Sequence, residues 1–231
     1  MLSSAFDGHG RECAKCISVQ RKRHPRSMAP SPPEPALRAM RPAIFVDRDG
    51  VVLEMVDYLN RVDQVVLAPG VGQAIRRIND AGIPLVVITN QSAIARGMLT
   101  ESGLAEIHRR MSDLLAAEGA RVDAIYYCPH HPDAGEGAYR RDCDCRKPNP
   151  GMLVKAAGDL GIDLPRSIMI GDNETDIEAG HRARVARTIL VLTGHGRTAA
   201  EKLHGTALQP SAVYGHAAPA LDAAREALEI R

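Results

Sequence analysis

The sequence predicts an α/β domain organised around a doubly wound parallel sheet. Three observations point there. From residue 41 onward, short apolar runs alternate with stretches of helical periodicity, the pattern of repeated βαβ units. Aromatic residues make up only 3 % of the chain and Trp is absent. The core must therefore be built from Val, Ile, Leu, Ala and Met, which suits strands covered on both faces. Finally, polar residues able to do chemistry follow the apolar runs, and open α/β sheets bind ligands beyond the carboxyl ends of their strands.

The elements follow in order. Ala43-Ile44-Phe45-Val46 reads as the first strand, with Asp47 directly after it. Val71, Ala74, Ile75 and Ile78 recur at helical spacing, and Ala81-Gly82 closes that helix. Ile83 to Ile88 is a buried strand ending at Thr89. Leu104, Ile107, Met111, Leu114 and Leu115 mark the next helix. Val122 to Tyr127 is a strand that stops before Cys128, and residues 151–160 read as helix. Ser167 to Ile170 leads to Asp172, with a helix near residues 174–183. Thr188 to Leu192 is the last strand the pattern picks out.

The length of 231 residues suits one sizeable domain. With 29 basic and 28 acidic residues the chain is nearly neutral, which argues against a general binder of nucleic acid or membrane surface. No apolar run reaches the ~18 residues of a membrane span, and residues 1–40 hold no signal-like apolar core. A cytoplasmic monomer is expected. In that compartment five cysteines suggest metal or redox chemistry rather than a disulfide frame. Residues 1–40 differ from the rest: Arg21 to Arg26 is basic, Ala29 to Pro35 is proline-rich, and no apolar face is available. They read as a disordered extension, with the domain proper spanning 41–231 and Met28 or Met40 as alternative starts. Cys13 and Cys16 form a lone C-x-x-C, too weak a pattern to assign.

Four polar clusters carry chemistry. Asp47-Arg48-Asp49-Gly50 places two carboxylates two residues apart after a buried strand. One can attack phosphorus while the other handles protons, and a divalent metal offsets the charge repulsion. Read alone, it is also a plain turn. Thr89-Asn90-Gln91-Ser92 offers hydroxyl, amide and backbone N–H groups to phosphoryl oxygens, or simply caps a helix. Arg146-Lys147 supplies a fork and a point charge for anions, although a basic pair is usually just solvated. Asp172 suits a hard cation such as Mg²⁺, and Asp176 can orient the basic residue or a metal-bound water. An acidic helix N-terminus is favourable by itself too.

Taken together, in this order and each after a strand, the clusters resemble the haloacid dehalogenase-like phosphatases. The resemblance implies Asp47 as nucleophile, Asp49 as general acid and then base, Thr89 as a phosphoryl-binding group and Lys147 as its electrostatic partner. It implies Mg²⁺ held by Asp47, the backbone carbonyl of Asp49, and Asp172.

Cys128, His130, Cys143 and Cys145 form C-x-H-x₁₂-C-x-C. Three thiolates and an imidazole complete a tetrahedral Zn²⁺ site with no open position, hence a structural one that braces residues 128–147. His131 is an alternative to His130. The zinc-loop text from Tyr126 to Pro132 and from Cys143 to Pro148 looks like the heptose-1,7-bisphosphate 7-phosphatases, and histidinol-phosphate phosphatase domains share the layout. This resemblance spans residues 41–195 and implies a small phosphorylated substrate, no large cap domain, and a role in supplying heptose for lipopolysaccharide or S-layers. Tyr58, Asn90, Gln91, Ser92, Arg146 and Asn173 are the expected substrate contacts. Val51 replaces a usual Thr, Met55-Val56-Asp57 departs from the usual D-H-G before Tyr58, and Asn173 stands where a basic residue is common. The rival readings are histidinol-phosphate hydrolysis and a zinc-loop binding protein with a dead site.

Overall fold

The computed structural model describes residues 40–229. The extension before Met40, the Cys13/Cys16 pair and the alternative start at Met28 lie outside the described residues.

Strong β-formers at positions 44–46 and their counterparts downstream build one six-stranded parallel sheet. Its strands are β1 (Ile44–Val46), β2 (Leu85–Asn90), β3 (Ala124–Cys128), β4 (Ile168–Gly171), β5 (Arg187–Val191) and β6 (Ala212–Tyr214). The spatial order is β3-β2-β1-β4-β5-β6. Phe45 lies opposite Val86 on one side and Met169 on the other, so β1 is the central ladder.

Alternation along the strands divides the core in two. Ile44, Val46, Val87 and Ile170 face α1 (Val71–Asp80), α3 (Glu101–Ala117) and α7 (Ala217–Glu229). Phe45, Val86, Ile88 and Met169 face α4 (Gly151–Leu160) and α5 (Glu174–Arg182). A smaller cluster of Ile177, Leu190, Ala199 and Leu203 seats α6 (Gly196–Leu203). The helix α2 (Ser92–Ala95) is a single turn. Local chemistry sets the ends. The Thr100 hydroxyl accepts from the N–H of Gly103 to start α3, and α4 stops at Gly161 in left-handed geometry.

The chain runs outward from β1 to β2 and β3, then returns to lay β4 on the other side of β1. The topological switch point therefore lies between the carboxyl ends of β1 and β4. No second domain is inserted among the described residues. Two long connections, residues 47–70 and 129–150, stand at this end instead.

Two strands start later than the sequence pattern suggests. β2 runs on through Thr89 and Asn90, and β3 includes Cys128, so these residues are held by the ladder rather than by a loop. β6 also extends the sheet beyond the last strand expected. It has three residues, none of them fully buried, too few for a periodic signal. Helix α7 is mostly alanine on its buried face, a weak hydrophobic stripe in sequence.

Candidate active site

The switch point is lined by carboxylates around one lysine. Asp47 is fixed at the end of β1 by its N–H bond to the Ile170 carbonyl (3.0 Å). Its Oδ1 accepts from the backbone N–H of Arg48 (2.7 Å) and faces Lys147 Nζ at 2.9 Å. The ammonium also meets Asp176 Oδ1 at 2.7 Å and donates to the Ile88 carbonyl at 3.0 Å, so all three of its protons are directed. Burial works against the Lys147 charge, but Asp176 and Asp47 outweigh it and hold its pKa above the ordinary lysine value. Asn90 clamps the same residue from behind. Its amide donates to the Lys147 carbonyl and accepts from the Lys147 N–H, both at 3.0 Å. Asn90 thus grips the lysine backbone rather than presenting a free amide to substrate.

Asp172 follows β4 and accepts from the N–H of His195 (2.9 Å). Gly50 and Gly194 flank it, both at positive φ, and a Cβ on either would overlap the Asp172 carboxylate. Thr193 closes this cradle by donating to the Gly50 carbonyl (2.6 Å). The segment Thr193-Gly194-His195 belongs to the site and was not expected from sequence, since its contribution is backbone. Asp47, Asp172 and Asp176 place carboxylate oxygens within 4.8 Å of one another. Burial, together with the neighbouring Asp176, drives the Asp172 carboxyl up to about 8. Burial also raises Asp47 to about 7 despite the opposing pull of Lys147. One lysine does not balance this set. Two oxygen donors left short of positive charge fit a hard divalent cation such as Mg²⁺.

Asp49 lies outside that cluster. Its Oδ1 accepts from Arg48 Nε (3.0 Å), and its Oδ2 from Arg48 Nη2 (2.8 Å) and Gln91 Nε2 (3.0 Å). Gln91 also donates to the Thr89 hydroxyl (2.8 Å) and accepts from Arg48 (3.1 Å). Gln91 therefore links the Asp49 carboxylate to the Thr89 hydroxyl.

The four expected zinc ligands converge. Cys145 Sγ is 3.3 Å from Cys128 Sγ and 3.2 Å from Cys143 Sγ, and Cys128 and Cys143 are 3.5 Å apart. His130 Nδ1 sits 3.6 Å from Cys145 and 3.8 Å from Cys128. Donors on a tetrahedral zinc lie ~3.8 Å apart for Zn–S bonds of ~2.3 Å, so the donor set and spacing fit. Hydrogen bonds from Cys128 and Cys145 pull the Cys143 thiol far down, while the contact with Cys143 pushes Cys128 up and contacts with both push Cys145 up. Three thiolates cannot coexist there without a cation. His131 points elsewhere: its Nδ1 accepts from the N–H groups of Asp133 (3.1 Å) and Ala134 (3.0 Å).

The matching family model, described as HAD-hydrolase-like, covers residues 144–220. The D-glycero-beta-D-manno-heptose-1,7-bisphosphate 7-phosphatase of Photorhabdus laumondii subsp. laumondii is 44% identical over 153 residues, covering 66% of this chain and 81% of that protein. The enzyme of the same name from Escherichia coli K12 is also 44% identical, with 66% and 80% covered. The chain belongs to the haloacid dehalogenase-like phosphatases. A solved D,D-heptose 1,7-bisphosphate phosphatase from B. bronchiseptica, complexed with magnesium and phosphate, superposes with a TM-score of 0.69 at 36% identity, covering 82% of this chain and 98% of that one. This phosphatase is accordingly a phosphoric monoester hydrolase, and family membership together with the carboxylate cluster supports Mg²⁺. None of its described helices is long and apolar enough to cross a membrane.

The remaining expected contacts of the phosphatase fall in two places. Tyr58 is exposed, adopts φ 51°, and stacks under the Arg96 guanidinium at 5.3 Å from its ring centroid. Arg146 donates to the His130 carbonyl (3.0 Å), which ties it to the Cys/His cluster. Burial, followed by the Arg146 and Arg96 charges, holds the His131 imidazole below its ordinary pKa. Ser92 opens α2. Asn173 is spent as the cap of α5: its side chain accepts from the Thr175 N–H (3.2 Å), while Asp176 accepts from the Asn173 N–H (3.0 Å). Besides the Thr193-Gly194-His195 segment, sequence reasoning gave no role to Arg48 and did not single out His108, both buried.

Proposed function

We propose that the chain removes the 7-phosphate of D-glycero-D-manno-heptose 1,7-bisphosphate through an aspartyl-phosphate on Asp47. The observation that carries the chemistry is the Asp47–Lys147–Asp172 constellation at the switch point. The Asp47 carboxylate attacks phosphorus, the new P–O bond forms, and the ester P–O bond breaks. Asp49 gives its proton to the departing sugar oxygen. In the second half Asp49, now a carboxylate, takes a proton from water as that oxygen attacks phosphorus, which breaks the bond to Asp47 and frees phosphate. Lys147 neutralises the phosphoryl group, with Thr89 as its hydrogen-bonding neighbour. Asp47, the Asp49 carbonyl and Asp172 would hold Mg²⁺, which supplies charge neutralisation between carboxylate and phosphate. Cys128, His130, Cys143 and Cys145 would hold a structural Zn²⁺. Reduced thiols suit the cytoplasm, and we take the working unit to be a monomer.

The substrate reading rests on the names of the curated relatives and on Arg146 and Arg96 beside the loop, which suit a second phosphate. The test compares kcat/KM for heptose bisphosphate, fructose bisphosphate and histidinol phosphate in wild type and Arg146→Ala. Heptose bisphosphate should be best, and Arg146→Ala should lower its kcat/KM by about 10-fold, the scale of one charge-assisted contact. Histidinol phosphate as best substrate, with Arg146→Ala silent on bisphosphates, overturns the assignment.

A further inference from the structure

Arg48 is the residue between the two catalytic aspartates, and it is 1% exposed. A guanidinium is costly to bury unless its donors are satisfied. Arg48 spends them on one target and its braces. Nε and Nη2 grip both oxygens of Asp49 at 3.0 and 2.8 Å. Nη2 also meets Gln91 Oε1 at 3.1 Å, and Nη1 meets His108 Nε2 at 3.3 Å. Arginine has no acceptor, so the His108 Nε2 must accept, which requires a neutral ring protonated on Nδ1. Burial and the adjacent Arg48 charge both hold His108 neutral. The ring is fixed in turn, edge-on to Tyr127 with centroids 6.0 Å apart. His108 comes from the buried face of α3, far from the switch point in sequence.

We propose that Arg48, braced by His108, is a positioning device that sets the rotamer of Asp49 for proton transfer. It rests on the reading of Asp49 as the proton donor and acceptor. A two-point fork fixes a carboxylate's plane as well as its place, which a lysine cannot do. His108 and Gln91 stop the fork itself from turning. Arg48 and Gln91 act on Asp49 directly, and His108 acts on it through Arg48. Helix α3 thereby reports directly to the reaction centre through one imidazole.

The experiment measures steady-state kinetics of the metal-loaded enzyme on a phosphate monoester, together with the ¹⁵N–¹H signal of Arg48 Nε. His108→Phe keeps the ring and removes the acceptor, and His108→Gln returns an acceptor. Arg48→Lys keeps the charge and removes the fork. Expected results are a fall in kcat of about 10- to 100-fold for Arg48→Lys and His108→Phe, the scale of a misplaced catalytic group. KM should stay within about 2-fold, and His108→Gln should recover most of the loss. The Arg48 Nε–H signal should be protected from exchange in wild type and lose that protection in Asp49→Asn. Unchanged kcat in His108→Phe, a loss carried by KM, or a His108→Gln variant no better than His108→Phe overturns the proposal. An enzyme inactive on every phosphate ester would defeat the functional reading instead. The exchange measurement would still decide the clamp, which fails if Asp49→Asn leaves the Arg48 signal protected.

Discussion

Asp47 sits among groups that penalise its charge, and the nucleophilic role proposed for it has a double signature. Asp47→Asn removes the attacking oxygen and should cut turnover by about 10³-fold or more. It also removes one member of a crowded acidic set, so the melting temperature of the metal-free protein should stay level or rise. Retained turnover, or a collapse of stability, would contradict the role. Gly194 makes a second residue-scale test. At φ 52° with the Asp172 carboxylate against it, Gly194→Ala pays backbone strain and pushes on the metal cradle. Gly82→Ala is the matched control, because Gly82 has φ 71° and nothing within 4 Å of a Cβ. Both variants should lose about 1–2 kcal/mol of stability, but only Gly194→Ala should weaken Mg²⁺ binding measured by calorimetry. The grouping of Asp47 with Asp172 and Lys147, and of Cys128, His130, Cys143 and Cys145, was legible in the sequence because residue type and spacing carry it. Arg48 and His108 were not. An arginine inside a D-x-D turn looks solvated until a helix 60 positions on is seen to meet it, and a histidine on an apolar helical face looks like filler.

At the scale of elements, the loop from residue 129 to 150 carries the Lys147 ammonium to the mouth of the sheet, 2.9 Å from Asp47. It is anchored three times. The sulfur cluster holds its two ends together, Asn90 of β2 clamps Lys147, and Glu101 at the start of α3 accepts from both Tyr127 (2.9 Å) and Tyr139 (2.7 Å). Gly135 lies so close to the Ala95 carbonyl that a Cβ there would overlap it, which seats the loop on α2. Cys145→Ser should leave three ligands, loosen residues 129–146, and lower kcat about 10-fold or more by freeing Lys147. Hydrogen exchange should rise in the loop while β1 and β4 stay protected. If elemental analysis finds no zinc in protein purified without chelators, the brace is of another kind. The sequence showed this loop's four converging Cys and His side chains because C-x-H and C-x-C together supply a four-donor set. It did not show β6 or the extra residues of β2 and β3, because a three-residue edge strand has no period. Polar Thr89 and Asn90 also read as loop until the ladder claims them.

For the whole molecule, the unbalanced carboxylates couple folding, metal and pH. Asp47 is raised to about 7 and Asp172 to about 8, both from 3.8. A carboxyl raised on folding binds more protons in the native than in the unfolded chain between those values, so stability of the metal-free protein must fall as pH rises through that window. Lys147 does not reverse the sign, because its pKa lies above the window and its charge is constant across it. Mg²⁺ would bind the ionised pair, so its affinity and its stabilisation should both grow as the protons leave. The gap in melting temperature between Mg²⁺-loaded and EDTA-treated protein should therefore widen from pH ~6 to ~8.5. With no Trp in the chain, calorimetry or circular dichroism is the suitable readout. In Asp172→Asn the metal-dependent gap should shrink at every pH, and the metal-free form should lose the part of its pH dependence that Asp172 contributes. A gap of constant size in wild type would mean that Asp47 and Asp172 are already ionised before the metal arrives, and that the protein, rather than the cation, balances them.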